Sequence, residues 1–320
     1  METRSRRWRI HRLEFDVEWP PGHVACYLID GPEPILVDAA FPQGDDAFQA
    51  PLAEHGCSLS EIEHVLITHP HIDHIGGVSN VLQATDPTVY APASVRERFG
   101  GSPDALGDRV RRNCLKAGFS GERLETVVGM AVRSLERNAE LLPSSAVDTW
   151  IEPDDSTTVG DLTVDAVHLP GHQADHLGYR TTIDGERVLL AGDMGIRSFR
   201  PIVIHDGLDD GYRDAFGAFY TALDRLADLE VDRVYPGHGP VHDDLDAVVE
   251  HHRSSLNRRL DRLVELVAEG TETAPSLAAA IAGEHDVNYL IPETMSALAY
   301  LETTGRLESD SIDGVQRYHV

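Results

Sequence analysis

The tightest constraint on this chain lies in Thr68-His-Pro-His-Ile-Asp-His74, where three imidazoles and a carboxylate fall within the six residues after Thr68. An ordinary apolar core does not accept such a cluster, because each buried polar group left without a partner costs about 1–3 kcal/mol. A solvated, histidine-rich loop is the plain alternative. Neutral imidazole and carboxylate are, however, the donors that suit Zn²⁺ and comparable borderline metals, which makes His69, His71, Asp73 and His74 candidate ligands. The apolar run Val65-Leu-Ile-Thr ends directly at His69, so the cluster sits where a buried strand gives way to a loop. Mixed α/β folds place chemistry at such junctions, since a rigid sheet aims side chains from the adjacent loop.

The surrounding pattern agrees with an α/β class. Residues 8–17, 24–29 and 35–37 read as strands, the last two joined by the turn Asp30-Gly-Pro-Glu-Pro. From 94 to 147 the texture becomes helical, with helices expected over 109–117 and 122–142 and breaks at Gly100-Gly101, Pro103 and Gly118. This segment reads as a helical insertion. Strands resume at 162–169, 177–183 and 188–191, followed by an amphipathic helix over 209–229 and a last strand at 231–235. Beyond about residue 243 the pattern is three helices, 251–268, 274–282 and 292–304, then a hairpin over 306–320 turning at Asp313-Gly314. Helices followed by a ribbon suggest a winged-helix module. The division expected is therefore 1–242 for a catalytic domain, with 94–147 as its insertion or cap, and 243–320 for a winged-helix-like C-terminal domain.

A chain of 320 residues buries a full core without disulfide staples. Its three cysteines, Cys26, Cys57 and Cys114, form no Cys-x-x-Cys pair and read as buried, reduced thiols of a cytoplasmic protein. The basic N-terminus is followed by no apolar segment of the kind that directs secretion, and no run of about 18 apolar residues suits a membrane span. The formal charge of −27 disfavours nucleic acid and anionic membranes as partners. Lys116 is the single lysine among 27 basic residues, and the acidic excess is spread along the chain. That surface fits a cytoplasm of high ionic strength, where salt screens self-repulsion. Thermal unfolding that does not move between low and multimolar salt would contradict this.

The ordered motifs resemble those of the metallo-β-lactamase superfamily. Its H-x-H-x-D-H signature stands here as His69, His71, Asp73 and His74, Leu169-Pro-Gly-His172 resembles its third motif, Leu190-Ala-Gly-Asp193 the bridging-carboxylate motif, and Tyr235-Pro-Gly-His238-Gly the final histidine. Val37-Asp38 resembles the family's early aspartate, which supports the site without binding metal. The likeness covers roughly residues 10–242. It implies a four-layer αββα sandwich with two divalent metal ions at one edge. Zinc is the first expectation, with iron or manganese as alternatives. One ion would take His69, His71 and His172, the other Asp73, His74 and His238, and Asp193 would bridge them. A hydroxide between the ions would attack an ester or thioester carbonyl, with Asp73 orienting it as the catalytic residue. His176 is expected to support a ligand by hydrogen bonding rather than to act as an acid or base.

The substrate is the open question at this level. The best-known β-lactam-hydrolysing branch has a cysteine where this chain has Asp193, which disfavours that activity. Carboxylate-bridged branches include glyoxalase-II-like thioesterases, lactonases, single-strand endoribonucleases that carry a winged-helix extension, and persulfide dioxygenases with a single iron. The insertion holds nine basic residues against seven acidic ones, a local balance of +2. Its arginines could clamp the anionic tail of a small substrate such as a coenzyme A or glutathione thioester. Equally, Arg133 and Arg137 could pair with Glu136 and Glu140 along the helix surface. Residues 243–320 contain six arginines and fifteen acidic residues, so the basic run Arg253, Arg258, Arg259 and Arg262 is a poor phosphate-binding surface. That module is expected to be a structural or homodimerising element that closes the cleft. Whether Tyr212 reaches the site stays open.

Overall fold

Strands that are apolar at nearly every position must be covered on both faces. Two sheets that hold such strands stack at the centre of the molecule in a computed structural model that describes residues 8–18, 20–197, 199–283 and 290–320. The N-terminal residues 1–7, most of the basic stretch noted above, lie outside the described residues. One sheet has the order β1 (Arg9–Asp16), β2 (His23–Asp30), β3 (Ile35–Val37), β4 (His64–Leu66), β5 (Thr88–Pro92) and β6 (Thr149–Ile151). Its first three strands pair antiparallel and the rest parallel. The other has the order β11 (Arg233–Pro236), β10 (Glu186–Gly192), β9 (Leu177–Ile183), β8 (Leu162–His168) and β7 (Ser156–Val159), in which the β10–β11 pair is parallel.

Successive side chains divide between two cores. On β2, Ala25, Tyr27 and Ile29 pack between the sheets, while Val24, Cys26 and Leu28 face helices. On β10, Val188 and Leu190 point inward, and Leu189 and Ala191 meet the opposite helical layer. The first sheet's outer face is covered by α1 (Asp45–Glu54), α3 (Val78–Ala84) and α4 (Ala93–Gly100) through Phe48, Leu52, Val78, Val81 and Val95. A single turn, α2 (Ile72–Ile75), adds Ile75 to the same cluster. The second sheet's outer face is covered by α7 (Ala215–Ala227) and α8 (Leu245–Ala268), with Phe216, Phe219, Leu223 and Leu256 against Leu189 and Val234. These are the four layers, helix, sheet, sheet and helix.

The insertion forms α5 (Pro103–Ala117) and α6 (Gly121–Leu141) after α4. Ser102 caps α5 by accepting a hydrogen bond from the Ala105 N–H at 3.3 Å, Pro103 occupies its first turn, and Gly118 at φ 99° ends it in the left-handed region. The chain finishes with α9 (Ala274–Ala282), α10 (Leu290–Thr303) and the hairpin β12 (Glu308–Ile312) and β13 (Val315–His319). Its two-residue turn, Asp313 at φ 52° and Gly314 at φ 82°, has the backbone twist that such hairpins need. Val110 and Cys114 of α5, Val127 of α6, Ile291 and Leu298 of α10 and Tyr318 of β13 share one apolar cluster.

Several expectations change. The helix foreseen over 209–229 splits into a short 3₁₀ turn, Asp210–Asp214, and α7, because the Asp209 side chain accepts from the Asp210 N–H and caps the turn separately. The helix foreseen from 251 begins at Leu245, since Leu245, Val248 and Val249 extend the same apolar stripe as Leu256 and Leu260. The strands β5, β6 and β7 were not read from the sequence; three to five residues are too few for periodicity to register. Cys57 is half-buried rather than buried, lying in the loop after α1, while Cys26 and Cys114 are buried free thiols. Arg133 and Arg137 form no ion pair with Glu136 or Glu140 among the described residues. Tyr212 packs in the core with Arg213 over its ring and does not line the cleft. No helix among the described residues is long and apolar enough to cross a membrane.

Candidate metal centre

The site forms where β4, β8, β10 and β11 end, and main-chain hydrogen bonds among these ends and the neighbouring β2 and β9 set its shape. Leu177 N–H donates to the Thr68 carbonyl at 2.9 Å, Gly237 N–H to the Gly192 carbonyl at 2.6 Å, and Ala25 N–H to the Gly237 carbonyl at 2.7 Å. The Tyr179 hydroxyl donates to the Ile67 carbonyl and the Tyr27 hydroxyl to the Pro236 carbonyl, each at 2.7 Å. Two glycines are required by this closeness. A Cβ on Gly192, whose φ is 50°, would lie 2.6 Å from His176 Nε2, and one on Gly237 would lie 2.5 Å from Asp193 Oδ1.

Seven side chains are brought together: His69, His71, Asp73, His74, His172, Asp193 and His238. Potential ligand atoms lie within 4.8 Å of one another in three overlapping groups, His69 with His71 and His172, His69 with His74 and Asp193, and Asp73 with His74 and His238. Asp193 stands at the centre, with Oδ2 3.3 Å from His172 Nε2 and 3.4 Å from His238 Nε2, and Oδ1 3.1 Å from His74 Nε2. Asp73 Oδ2 is 3.3 Å from His238 Nε2.

The residues behind these donors fix their tautomers. Thr68 donates its hydroxyl proton to Asp38 at 2.8 Å, so its oxygen accepts from His69 Nδ1 at 3.0 Å. His74 Nδ1 donates to Asp38 Oδ2 at 2.8 Å, His172 Nδ1 to the Ile202 carbonyl at 3.2 Å, and His238 Nδ1 to the His23 carbonyl at 2.8 Å. A neutral imidazole has one donor and one acceptor nitrogen, so in this form all four histidines present an Nε2 lone pair to the centre. His71 Nδ1 faces two of them, His69 Nε2 at 3.0 Å and His172 Nε2 at 2.9 Å, and one proton cannot satisfy both. His74 Nε2 and Asp193 Oδ1 are buried close together without a hydrogen bond to any partner. Converging lone pairs and a buried carboxylate with an unsatisfied oxygen are what a cation relieves, so the donor set fits a pair of divalent ions.

The electrostatics point the same way. Burial pushes His71 down to about 3, and His172 beside it adds to the fall. Burial also holds His69 and His172 below the usual imidazole range. For His238 burial acts downward but Asp193 and Asp73 outweigh it, raising the ring to about 10, and His74 is raised by Asp193 and Asp38 against the same burial. Burial would raise Asp73, yet the His238 hydrogen bond and the neighbouring imidazoles bring it to about 2. In a protein without metal, protons on His74 and His238 would therefore supply the positive charge that the two carboxylates demand.

The two supporting residues also have definite places. Asp38, at φ 59°, accepts from His74 and from both the N–H and hydroxyl of Thr68. His176 Nε2 accepts from the Asp193 N–H at 3.1 Å, which orients the loop that carries that carboxylate. Sequence reasoning missed the partners Thr68, His23 and Ile202, because hydroxyls and main-chain carbonyls carry no motif of their own. It also missed His205, whose positive φ of 53° and main-chain hydrogen bond to the His172 carbonyl at 2.8 Å set it beside the site.

A cavity of about 600 Å³ opens from His71 toward the insertion, with Arg98, Arg109 and Asn138 on the cap side and Asp175, Asp206 and Asp209 opposite. The arginines on its wall are already matched. Arg98 bridges Asp175 and Asp206, and Arg109 makes a two-pronged pair with Asp209 at 2.6 and 2.7 Å. Arg137 lies elsewhere on α6. Its guanidinium bonds the uncharged Ser134 and Asn138, both cavity-lining, and Asn138 in turn donates to the Pro70 carbonyl between the metal-loop histidines.

Comparisons with known proteins bear on the family and the fold. A beta-lactamase-like protein 2 homolog of Caenorhabditis elegans is 25% identical over 75% of the chain. A hydroxyacylglutathione hydrolase of Methylobacillus flagellatus is 26% identical over 68% of it. The chain spans 63% and 65% of the length of these two relatives. Among solved structures, a metallo-beta-lactamase family protein of Thermus thermophilus superposes with a TM-score of 0.79, covering 97% of this chain and 98% of that one at 24% identity. A beta-lactamase domain protein of Burkholderia ambifaria follows with a TM-score of 0.75, covering 97% and 92% at 18% identity. These two likenesses extend through the C-terminal helices and hairpin and concern the fold. The family model of the metallo-beta-lactamase superfamily matches residues 19–238, so the chain belongs to that superfamily.

Proposed function

We propose that the protein is a dinuclear metal-dependent hydrolase that cleaves a small ester or thioester. The observation that carries this reading is the fixed tautomer set, in which four imidazoles, their outer nitrogens already bonded, turn Nε2 toward two carboxylates. His69, His71 and His172 would hold one ion, Asp73, His74 and His238 the other, and Asp193 both. Two such ions lower the pKa of a water between them toward neutrality and polarise the scissile carbonyl.

The chain's own residues prepare that chemistry. Asp73 stays ionised and accepts a hydrogen bond from the attacking water, which fixes its approach. Asp38 and Thr68 keep His74 and His69 from rotating, and His176 does the same for the Asp193 loop. A thioester suits the site because a thiolate departs without needing a proton. The similarity to proteins named hydroxyacylglutathione hydrolase supports the same class. An anionic carrier reaching Ser134 and Asn138 on the cavity wall would come beside Arg137, which bonds both and has no carboxylate partner among the described residues. Arg253 and Arg259 are engaged by Asp224 and Glu293, and Arg258 and Arg262 by Ser254 and Glu265, which favours a small molecule over RNA.

The test is to offer zinc-loaded protein acyl thioesters and labelled single-stranded RNA side by side. Thioester hydrolysis that His71→Ala abolishes is expected. Cleavage of RNA alone, or oxygen consumption with one iron per chain, would replace the proposal.

A further inference from the structure

Next to the cavity at His71 lies a second hollow of about 240 Å³, and the two adjoin. Ala131 on α6 and Ile204, Gly207 and Leu208 on the loop after β10 line both. Beyond that shared waist the second hollow is flanked by Val127 and Met130 of α6 on one side and by Ile291 and Pro292 of α10 on the other, with Met130 at its open rim. No charged side chain and no side-chain nitrogen or oxygen belongs to its wall among the described residues. Met130 is 40% exposed, one of few large apolar side chains left open to solvent among the described residues.

The contrast with the first cavity is chemical. There the wall carries Arg98 and Arg109 paired with Asp175, Asp206 and Asp209, so a polar group passing through finds a charged, net acidic lining. The hollow behind it offers only burial. We propose that this groove binds the apolar end of the substrate's acyl group, so that the preferred substrate is a thioester or ester with a medium-length hydrocarbon or aromatic acyl chain. The inference rests on the hydrolase reading for its reacting end, and on the groove's apolar lining and the four residues it shares with the cavity at His71 for its tail. It also gives α6 and α10 a joint task. Residues from the insertion and from the C-terminal helices close one site, which neither segment builds alone.

Selectivity should then grow with chain length until the groove is filled, because each added methylene leaves water for an apolar wall. Zinc-loaded protein is assayed on acetyl and octanoyl thioesters of N-acetylcysteamine, and binding of 1-octanol is measured by calorimetry. Ala131→Trp, at the waist, blocks the passage, and its melting temperature and zinc content establish that it folds. The expected result is a kcat/KM at least tenfold higher for octanoyl than for acetyl, with that ratio falling to near one in Ala131→Trp. Equal rates on the two esters, or a ratio unchanged by the substitution, would overturn the groove and leave the hydrolase standing. If no thioester is cleaved but 1-octanol binds the natural protein and not Ala131→Trp, the groove survives and the hydrolase reading falls. Absence of both hydrolysis and binding would overturn both. Should Ala131→Trp fail to fold, Met130→Glu, at the exposed rim, is expected to lower the same ratio at least fivefold, and an unchanged ratio there would overturn the groove.

Discussion

The metal edge and the cap wall face each other across one cavity and are organised in opposite ways. At the metal edge the outer nitrogen of each of four imidazoles is bonded while its inner nitrogen faces the centre. On the cap wall the charges are closed off among themselves, Arg98 with Asp175 and Asp206, Arg109 with Asp209. The insertion's surplus of positive charge therefore says little about what it recognises. What a surface can bind depends on which groups keep an unmet valence, and at the metal edge these converge, whereas on the cavity's cap wall Arg98 and Arg109 have been paired.

The largest effect that could break this contrast is loss of a central donor. Asp193→Ala should lower kcat/KM by about 10³-fold or more, since it removes the group common to both ligand sets. Retention of a tenth of the activity would mean that the centre is not shared. Asp38→Ala touches no proposed ligand position, yet it frees His74 and Thr68. A 10–100-fold loss of zinc affinity is expected by competition with a chelator, and unchanged affinity would show that the fixed tautomers are incidental.

Most of the metal edge was legible in the sequence, for a physical reason. Ligand chemistry needs particular side chains in a particular order, and His69, His71, Asp73 and His74 cannot be exchanged for others without changing the chemistry. Strands of the two sheets behind the site were readable because Val24 to Ile29 and Val188 to Ala191 are buried on both faces. The cap was legible only as helices. Its recognition properties depend on pairs such as Arg98 with Asp175, 77 positions apart, and on a hollow shared by α6 and α10, whose residues are ordinary core types. Neither long-range pairing nor a gap between apolar faces leaves a local trace.

Smaller effects sharpen the same comparison on the cap side. Asp175→Asn leaves Arg98 short of a buried partner and should cost about 1–3 kcal/mol in chemical denaturation, Asp206 retaining part of the interaction. Burial would raise the Asp175 carboxyl, but Arg98 and its hydrogen bonds hold it below the ordinary 3.8. A depressed carboxyl contributes stability above that ordinary value and loses it as pH falls through the folded one. The gap between natural protein and variant should thus be full at pH 7 and shrink below about pH 4, and a gap independent of pH would deny the ion pair. Arg137→Gln should be the mildest change, raising KM for a glutathione thioester about three- to tenfold with little change in kcat and none for an uncharged thioester. Equal effects on both substrates would remove Arg137 from carrier recognition.

The central claim is most directly tested by counting metal. Protein stripped with chelator and titrated with zinc, with bound metal read by inductively coupled plasma analysis, should take up two ions per chain and release protons as His74 and His238 give up theirs. A stoichiometry below one, or uptake that Asp193→Ala and His71→Ala leave unchanged, would contradict it.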